Sequence, residues 1–581
     1  STERVNIDTV TPDITTFWTW MNDLEKLETT GADQLVVGYD YFSSKFSPFF
    51  SKTQYDTDVY SMVSLGLFGL DREGNPVLNG IEGETRNYNG TDYTYDGIAD
   101  IEVVQNEDGT VDYNITMRDD IVFSDGTPMT IDDVIFSMYV LSDPTYDGSS
   151  TFYAVPIEGM EEYRSGMDLL VNLICAAGPD NTDFTNWTEE QQTAFWDAFW
   201  VAGEKFAQEI IDYCVANGYA AEGDVAGAAA AWAYEGLAAD ATAADFFQAI
   251  VDNYGYDLSD AGINAETAGS SITDLIYAEL GDKAAEYQAG VATGSSVPNI
   301  SGIIKTGDYS MTVRTTKYDA AAIYQLGVTV APLHYYGDTS KYDYENNMFG
   351  FTKGDLSTVR AKTTQPLGAG PYKFVSYENG VVTFEANENY WKGQPKTQYV
   401  LFQETAASDK LSGVASDAAT FDITDPNFNV DTVEDIKGYN SNGELTGDKL
   451  TTFTIDNLGY GYIAMCANNV CIDGDPASDA SKNLRRGFAT LFAVYRDTVV
   501  NSYYGETASI IQYPISNTSW AAPRPSDEGY EIAFSVDVDG NPIYTDDMTE
   551  QERYDAALQA AIGFFKAAGL NWDEASGKFV A

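Results

Sequence analysis

The chain has 581 residues, 44% of them hydrophobic and 13% aromatic. That is enough for several domains with a large core, and it excludes global disorder. Acidic residues number 90 against 31 basic ones, a net charge of −59, which excludes nucleic acid and anionic membrane surfaces as electrostatic partners.

Taken in chain order, residues 1–30 read as a helical or irregular lead-in carrying Trp18 and Trp20. Gln34–Tyr39 is an apolar run bounded by polar residues, the pattern of a buried strand. Residues 40–50 have no period and read as a loop, and apolar spacing places a helix over 58–70. Residues 71–120 read as strands and turns, with a hairpin from 101–105 to 111–117 across Asp108-Gly109. The polar stretch 87–97 is expected to be an exposed excursion. Residues 160–300 are Ala-rich with helical periodicity. Thr188 with Gln191 forms a capping box, Phe195, Phe199 and Phe206 follow on one face, and Ala228–Ala233 and Ala243–Tyr254 extend the helical signal. Pro298 marks the end of this helical insertion. Strand alternation returns at 309–315, residues 367–390 read turn, strand, turn, strand, and strands and helices alternate over 400–535. Residues 549–568 form an amphipathic helix. No repeat is visible.

The chemistry-bearing motifs are mostly absent. There is no phosphate-binding loop, dinucleotide fingerprint or nucleophile elbow. With His334 the one histidine, a triad or zinc site has little to stand on, and His334 reads as structural. The four cysteines, Cys175, Cys214, Cys466 and Cys471, are too few for a disulfide framework; Cys466 and Cys471 are near enough to bridge, the alternative being two reduced thiols. Asp537, Asp539 and Asn541 read as a hairpin turn, because Gly540 stands where a calcium loop does not want it. No apolar run is long enough to span a bilayer. The start at Ser1 reads as mature-like, with any leader or lipid-bearing cysteine upstream.

Two stretches are more specific. Ile115–Met138, ITMRDDIVFSDGTPMTIDDVIFSM, and residues 366–395, PLGAGPYKFVSYENGVVTFEANENYWKGQP, resemble the signatures of the family 5 extracellular solute-binding proteins, which serve peptide and nickel ABC importers. A third stretch, 462–505, is similar through Asn468, Arg485 or Arg486, and Arg496, although Tyr495-Arg496-Asp497 inverts the family's usual Asp-Arg order. In the first stretch Asp125-Gly126 makes a turn and Thr130 caps a helix that opens with Asp132 and Asp133. In the second, Gly368 and Gly370 are expected to take positive φ. The resemblance covers roughly 34–160 and 300–570 and carries nothing onto the helical insertion.

The resemblance implies an α/β class II clamshell of the periplasmic-binding-protein type, with an extra domain and the helical insertion. Residues 1–75 and 300–400 would form lobe I, 76–300 a nested domain containing the 160–298 insertion, and 401–581 lobe II. Relatives continue past the helix ending in Ala568-Gly569-Leu570, so the expectation is a piece of a longer chain; completion by a second chain or impaired binding are the alternatives. The implied function is a monomeric, extracellular, lipid-anchored binding protein, not an enzyme, without cofactor or metal, that captures oligopeptide-like solutes and delivers them to ABC permease subunits. Oligosaccharide binding, a carboxylate-based glycoside hydrolase and a non-transporting sensor are the rivals. Candidate ligand contacts are Tyr41, Phe42, Lys45 and Phe46 after the first strand, Asp422 and Asp425 in FDITDPNF, and Tyr462, Asn468, Tyr513 and Trp520 on segments that border the cleft in relatives.

Overall fold

The computed structural model of the chain describes residues 33–416, 419–426 and 429–580, so the lead-in around Trp18 and Trp20 lies outside the described residues. Strand β1 (Gln34–Tyr39) matches the expected run to the residue. Helix α1 (Gln54–Val63) starts earlier than apolar spacing suggests, because the Thr53 hydroxyl caps it by accepting from the Asp56 amide at 3.1 Å. It stops at Val63, because the following residues pair with another segment: the Leu67 amide donates to Val328 O, and the Val330 amide donates to Leu65 O, both at 2.9 Å.

The stretch expected as an exposed excursion is a hairpin, β2 (Glu84–Tyr88) with β3 (Thr91–Tyr95). Its corner, Asn89-Gly90, has φ of 49° and 86°, the left-handed pair that a two-residue hairpin turn requires. Strands β4 (Ala99–Gln105) and β5 (Val111–Met117) form the expected hairpin. Helix α2 (Ile131–Ser142) starts at Thr130 with both halves of a capping box, the Thr130 side chain accepting from the Asp133 amide and the Thr130 amide donating to Asp133 Oδ2 at 2.9 Å, and the Asp132 amide also donates to Thr130 Oγ1 at 3.3 Å. It is buried on nearly every face, and Ser137 and Ser142 satisfy their hydroxyls on Asp133 O and Met138 O at 2.7 Å.

The helical insertion packs around α3 (Glu189–Ala216), α4 (Ala243–Tyr254) and α5 (Ile272–Leu280). The capping box at Thr188 is present, with the Gln191 amide donating to Thr188 Oγ1 at 3.1 Å. Phe195, Phe199 and Phe206 are buried in one core. Gly203 lets α4 come close: a Cβ there would lie 1.9 Å from the Phe247 ring. Strands β6 (Ile303–Gly307) and β7 (Ser310–Thr315) then return to complete an antiparallel sheet in the order β4-β5-β7-β6. The lobe boundary expected at 300 therefore falls inside this unit.

The second sheet has the order β8-β9-β10-β1-β11, with β8 (Tyr372–Glu378), β9 (Val381–Ala386), β10 (Tyr399–Glu404) and β11 (Ile423–Thr424). The first three strands are an antiparallel meander, and β1 runs parallel to both β10 and β11. Its near-continuous apolar sequence suits a central parallel strand. The strand at 423–424 thus joins the sheet of β1, although 401 was expected to open lobe II. Gly368 and Gly370, expected at positive φ, are not among the residues with positive φ. Close packing explains Gly370 instead: a Cβ there would lie 2.6 Å from Ser64 N and Val63 C.

Beyond the sheet come α6 (Val430–Tyr439), α7 (Asp479–Val494) and α8 (Glu550–Ala567). Helix α8 matches its expected span and carries a Thr549–Glu552 capping box. The strands expected over 400–535 do not form after β11; among the described residues the next strand begins at Asn571. A strand needs a neighbour for its N–H and C=O groups, and among the described residues no strand pairs with residues 452–465. The four cysteines are free, with Cys471 Sγ 3.0 Å from Asn468 O.

Candidate functional site

The carboxyl ends of the parallel strands β1, β10 and β11 come together, the place where open α/β sheets bind ligands. Chain direction and pairing set this up: Tyr39 opposes Glu404, the Thr405 amide donates to Tyr39 O at 2.8 Å, and Gly38 opposes Thr424. Lys410 ties the ends together. Its side chain is 3% exposed, and Nζ donates to Asp40 Oδ2 at 2.7 Å and to Asp425 O at 2.8 Å. On the other side, Glu404 Oε1 accepts from the Phe42 amide and from the Tyr377 hydroxyl, both at 2.8 Å. The Tyr39 ring stacks between Phe402 at 4.5 Å and Phe42 at 5.5 Å, and its hydroxyl donates to Asp58. Tyr41 turns outward and is 64% exposed. Beside the strand ends lies a cavity of about 430 Å³ whose lining includes Ser408, Leu411, Pro426, Glu434 and Tyr439.

This mouth is acidic and aromatic. Burial pushes the Asp58 carboxyl up to about 6, against the hydrogen bonds from Tyr39 and Gln54. Burial and then the Asp58 charge hold the Tyr39 hydroxyl well above its ordinary value. Tyr55 is raised by burial and then by Asp40, and Tyr377 is raised to about 12 by burial and then by Glu404. The arrangement offers carboxylates, tyrosine hydroxyls and ring faces to a ligand. Among the described residues no His, Cys, Asp and Glu group has the arrangement to hold a metal ion. His334 lies outside the mouth, its Nε2 2.6 Å from Asp125 Oδ2 in the turn of the first signature stretch.

The ten candidate residues separate. Tyr41, Phe42 and Asp425 stand at the strand ends. Asp422 stands at the other, amino end of β11, opposite Val36, whose amide donates to its carboxylate at 2.8 Å, a bond that holds β1 against its neighbour. Phe46 is 0% exposed in the core under the sheet, and Lys45 pairs with Asp274 of the helical insertion. Tyr462 is 79% exposed on an irregular segment, and Asn468 lies in a turn. The Tyr513 hydroxyl accepts from the Glu531 amide at 2.8 Å beside a separate cavity of about 280 Å³. Trp520 bridges to the body of the protein: its amide donates to Glu73 O at 3.0 Å and its indole N–H to the Tyr324 hydroxyl at 3.2 Å. Sequence reasoning missed Asp40, Glu404 and Lys410. The strand-end rule, applied to β10 as it was to β1, points to Glu404, and Asp40 directly follows β1.

Arg485 binds carbonyls, and so does Arg496, where the residue order departs from the family pattern. Arg485 donates to Val470 O at 3.0 Å and Pro476 O at 2.8 Å, and Arg496 donates to Ile511 O at 2.9 Å. Across the described residues no helix is long and apolar enough to cross a membrane.

Comparison with known proteins gives the following. The family described as "Bacterial extracellular solute-binding proteins, family 5 Middle" matches residues 236–579. The oligopeptide-binding protein AppA of Bacillus subtilis is 24% identical over 239 residues, which are 40% of this chain and 38% of that protein. The solved structure of Bacillus subtilis AppA with a nonapeptide is 15% identical, with a TM-score of 0.38, covering 94% of this chain and 66% of that one. Lactococcal OppA, solved in a closed conformation with an endogenous peptide, is 13% identical, with a TM-score of 0.45, covering 95% of this chain and 69% of that one. The chain thus matches well under half of the curated relative's length.

Proposed function

The chain belongs to the bacterial extracellular solute-binding proteins of family 5, and from that premise we propose that it captures an oligopeptide-like solute at the carboxyl ends of its parallel strands and passes it to the permease of an ABC importer. The observation that carries this reading is the mouth itself. Three strand ends converge there on a buried Lys410 strut and leave the Tyr41 ring and the Asp425 carboxylate at the surface. Such a site suits an extended ligand held by polar groups and flanked by aromatic faces. The similarity to a Bacillus subtilis protein named for oligopeptide binding supports the same ligand class. In this reading the chain is a binder and not an enzyme, works as a monomer, and is anchored by lipid on an upstream cysteine. The sheet of β1 and the C-terminal stretch act as facing lobes that close on the ligand.

The exposed ring of Tyr41 favours one second reading, an oligosaccharide stacked on that face. Thermal melting of the chain with a mixture of tri- to octapeptides, and separately with a mixture of oligosaccharides, decides between them. A ligand that binds only the folded state at a hundredfold excess over Kd adds about 2.7 kcal/mol of stability. A shift with peptides that is lost in Tyr41→Ala supports peptide capture. A shift with saccharides alone moves the second reading ahead, and no shift with either overturns both.

A further inference from the structure

Lys45 does not face the mouth. Its Nζ lies 2.6 Å from Asp274 Oδ2, in the first turn of α5. Ile272, Ile276 and Leu280 of helix α5 are buried in the core of the helical block, while Asp274, in its first turn, is half-exposed and reaches Lys45. Lys45 belongs to the loop of residues 40–52, whose leading part, Asp40, Tyr41 and Phe42, forms the mouth.

We propose that α5 latches this loop, and that the Lys45–Asp274 pair sets ligand affinity by positioning the mouth without touching the ligand. The inference rests on the reading that the strand ends hold the ligand.

The loop is pinned on both sides. Toward the sheet, Phe42 is bonded to Glu404, and the Ser43 and Lys45 amides donate to the buried Asp56 carboxylate at 3.0 and 3.2 Å. Between these pins Ser44 takes φ of 63°, a left-handed conformation that a non-glycine residue keeps only where its surroundings impose it. Toward the helical block and its neighbours, Lys45 meets Asp274, and the Phe50 ring lies 4.4 Å under Arg360, which pairs with Asp147 at 2.8 Å. Burial acts to raise the Asp274 carboxyl, but the hydrogen bond and charge of Lys45, with the charge of Lys52, hold it below the usual range. Both lysines of the loop therefore favour the ionised latch. The helical block is in this way coupled to the mouth.

The test is a double-mutant cycle on the whole chain, with Lys45→Met, Asp274→Asn and the pair together. Each variant is titrated calorimetrically with the tri- to octapeptide mixture, and its hydrogen exchange over residues 40–52 is measured without ligand. Each single change is expected to weaken binding about two- to fivefold, as a half-exposed ion pair allows. The double variant is expected to be no weaker than the worse single, and exchange over 40–52 should be faster in all three. Weaker binding in Lys45→Met alone would mean that Lys45 touches ligand, and would overturn the latch. Unchanged exchange over 40–52 overturns it as well. If the unaltered chain binds no peptide, the proposed function falls, and the exchange measurement still decides whether the latch exists.

Discussion

The unit built on α2 and the β4-β5-β7-β6 sheet and the stretch from 440 to 580 are both supplied with aromatic and branched side chains, but the first keeps most of them from water while the second buries a few, Ile562, Phe564 and Phe565 among them, and leaves many exposed. Phe136 and Val134 of α2 are fully buried, and Tyr139 stacks on Phe349 with ring centroids 3.4 Å apart. In the second region Tyr462, Ile463, Phe492 and Val499 stand exposed, and α7 meets α8 along one seam, where Phe488 lies 5.0 Å from Phe565. The difference is a layer. Helix α2 has a sheet beneath it and loops around it, whereas α7 rests mainly on α8, and α8 on the short hairpin at 571–580, whose Phe579 ring lies 5.4 Å from Phe565. An apolar side chain is buried by the second layer it meets and not by the composition of its own segment.

That contrast can be broken most directly at Phe136. Phe136→Ala should cost about 3–5 kcal/mol, as full truncation in a packed core does, and urea unfolding checks it. A loss below about 1 kcal/mol would mean that this unit is no better packed than the C-terminal one. Gly370→Ala comes next, at about 2 kcal/mol, because its Cβ would press on the backbone at Val63 and Ser64, which cannot move aside as a side chain would. The same substitution at Gly438, where a Cβ meets nothing within 4 Å, should be neutral or slightly stabilising.

Buried acids sharpen the comparison in another way. Burial raises Asp58 and Asp133 to about 6, whereas hydrogen bonds lower Asp537 and Asp547 in exposed turns and Glu552 at the exposed start of α8. A carboxyl raised on folding binds more protons in the native state between its ordinary value near 4 and its folded value. Its contribution is therefore full below about pH 4 and is lost as pH rises through about 6. Asp58→Asn should remove a decline on the order of 1–2 kcal/mol between pH 4.5 and 7.5, seen as a flatter plot of urea midpoint against pH. An unchanged slope would show that Asp58 is not desolvated.

What could be read from the sequence was what is local. The extent of β1, the Thr130 and Thr188 caps and the span of α8 depend on residues within a few positions of each other, and each was legible. The β2-β3 hairpin was missed because its strands are polar, although Asn89-Gly90 is a strong turn pair. At the proposed site, Tyr41 and Phe42 were named from the strand-end rule and Asp425 from the family resemblance of FDITDPNF, and all three stand at strand ends. Lys410 did not, since in Ala-Ser-Asp-Lys nothing marks a cation whose partner, Asp40, is distant in sequence and adjacent only after β1 and β10 pair. Lys45 was placed at the mouth for the same reason, as its partner Asp274 belongs to an insertion that the family resemblance does not reach. Strands were expected to alternate with helices over 400–535, and a local reading does not report whether a neighbouring strand is present to pair with.

A small expected effect is the most telling for the comparison. Phe492 lies on α7 with 44% of its surface exposed, and its ring is stacked on Phe488 at 6.4 Å. Truncating a side chain that remains in water opens no cavity and forfeits little transfer energy. Phe492→Ala should therefore change stability by less than about 0.5 kcal/mol, with alanine's better helix propensity offsetting part of the lost ring contact. Phe565→Ala, across the seam and buried beside Gly487, should cost several times more in the same urea titration. If the two substitutions cost the same, Phe492 is covered in solution, and the C-terminal region has a second layer after all.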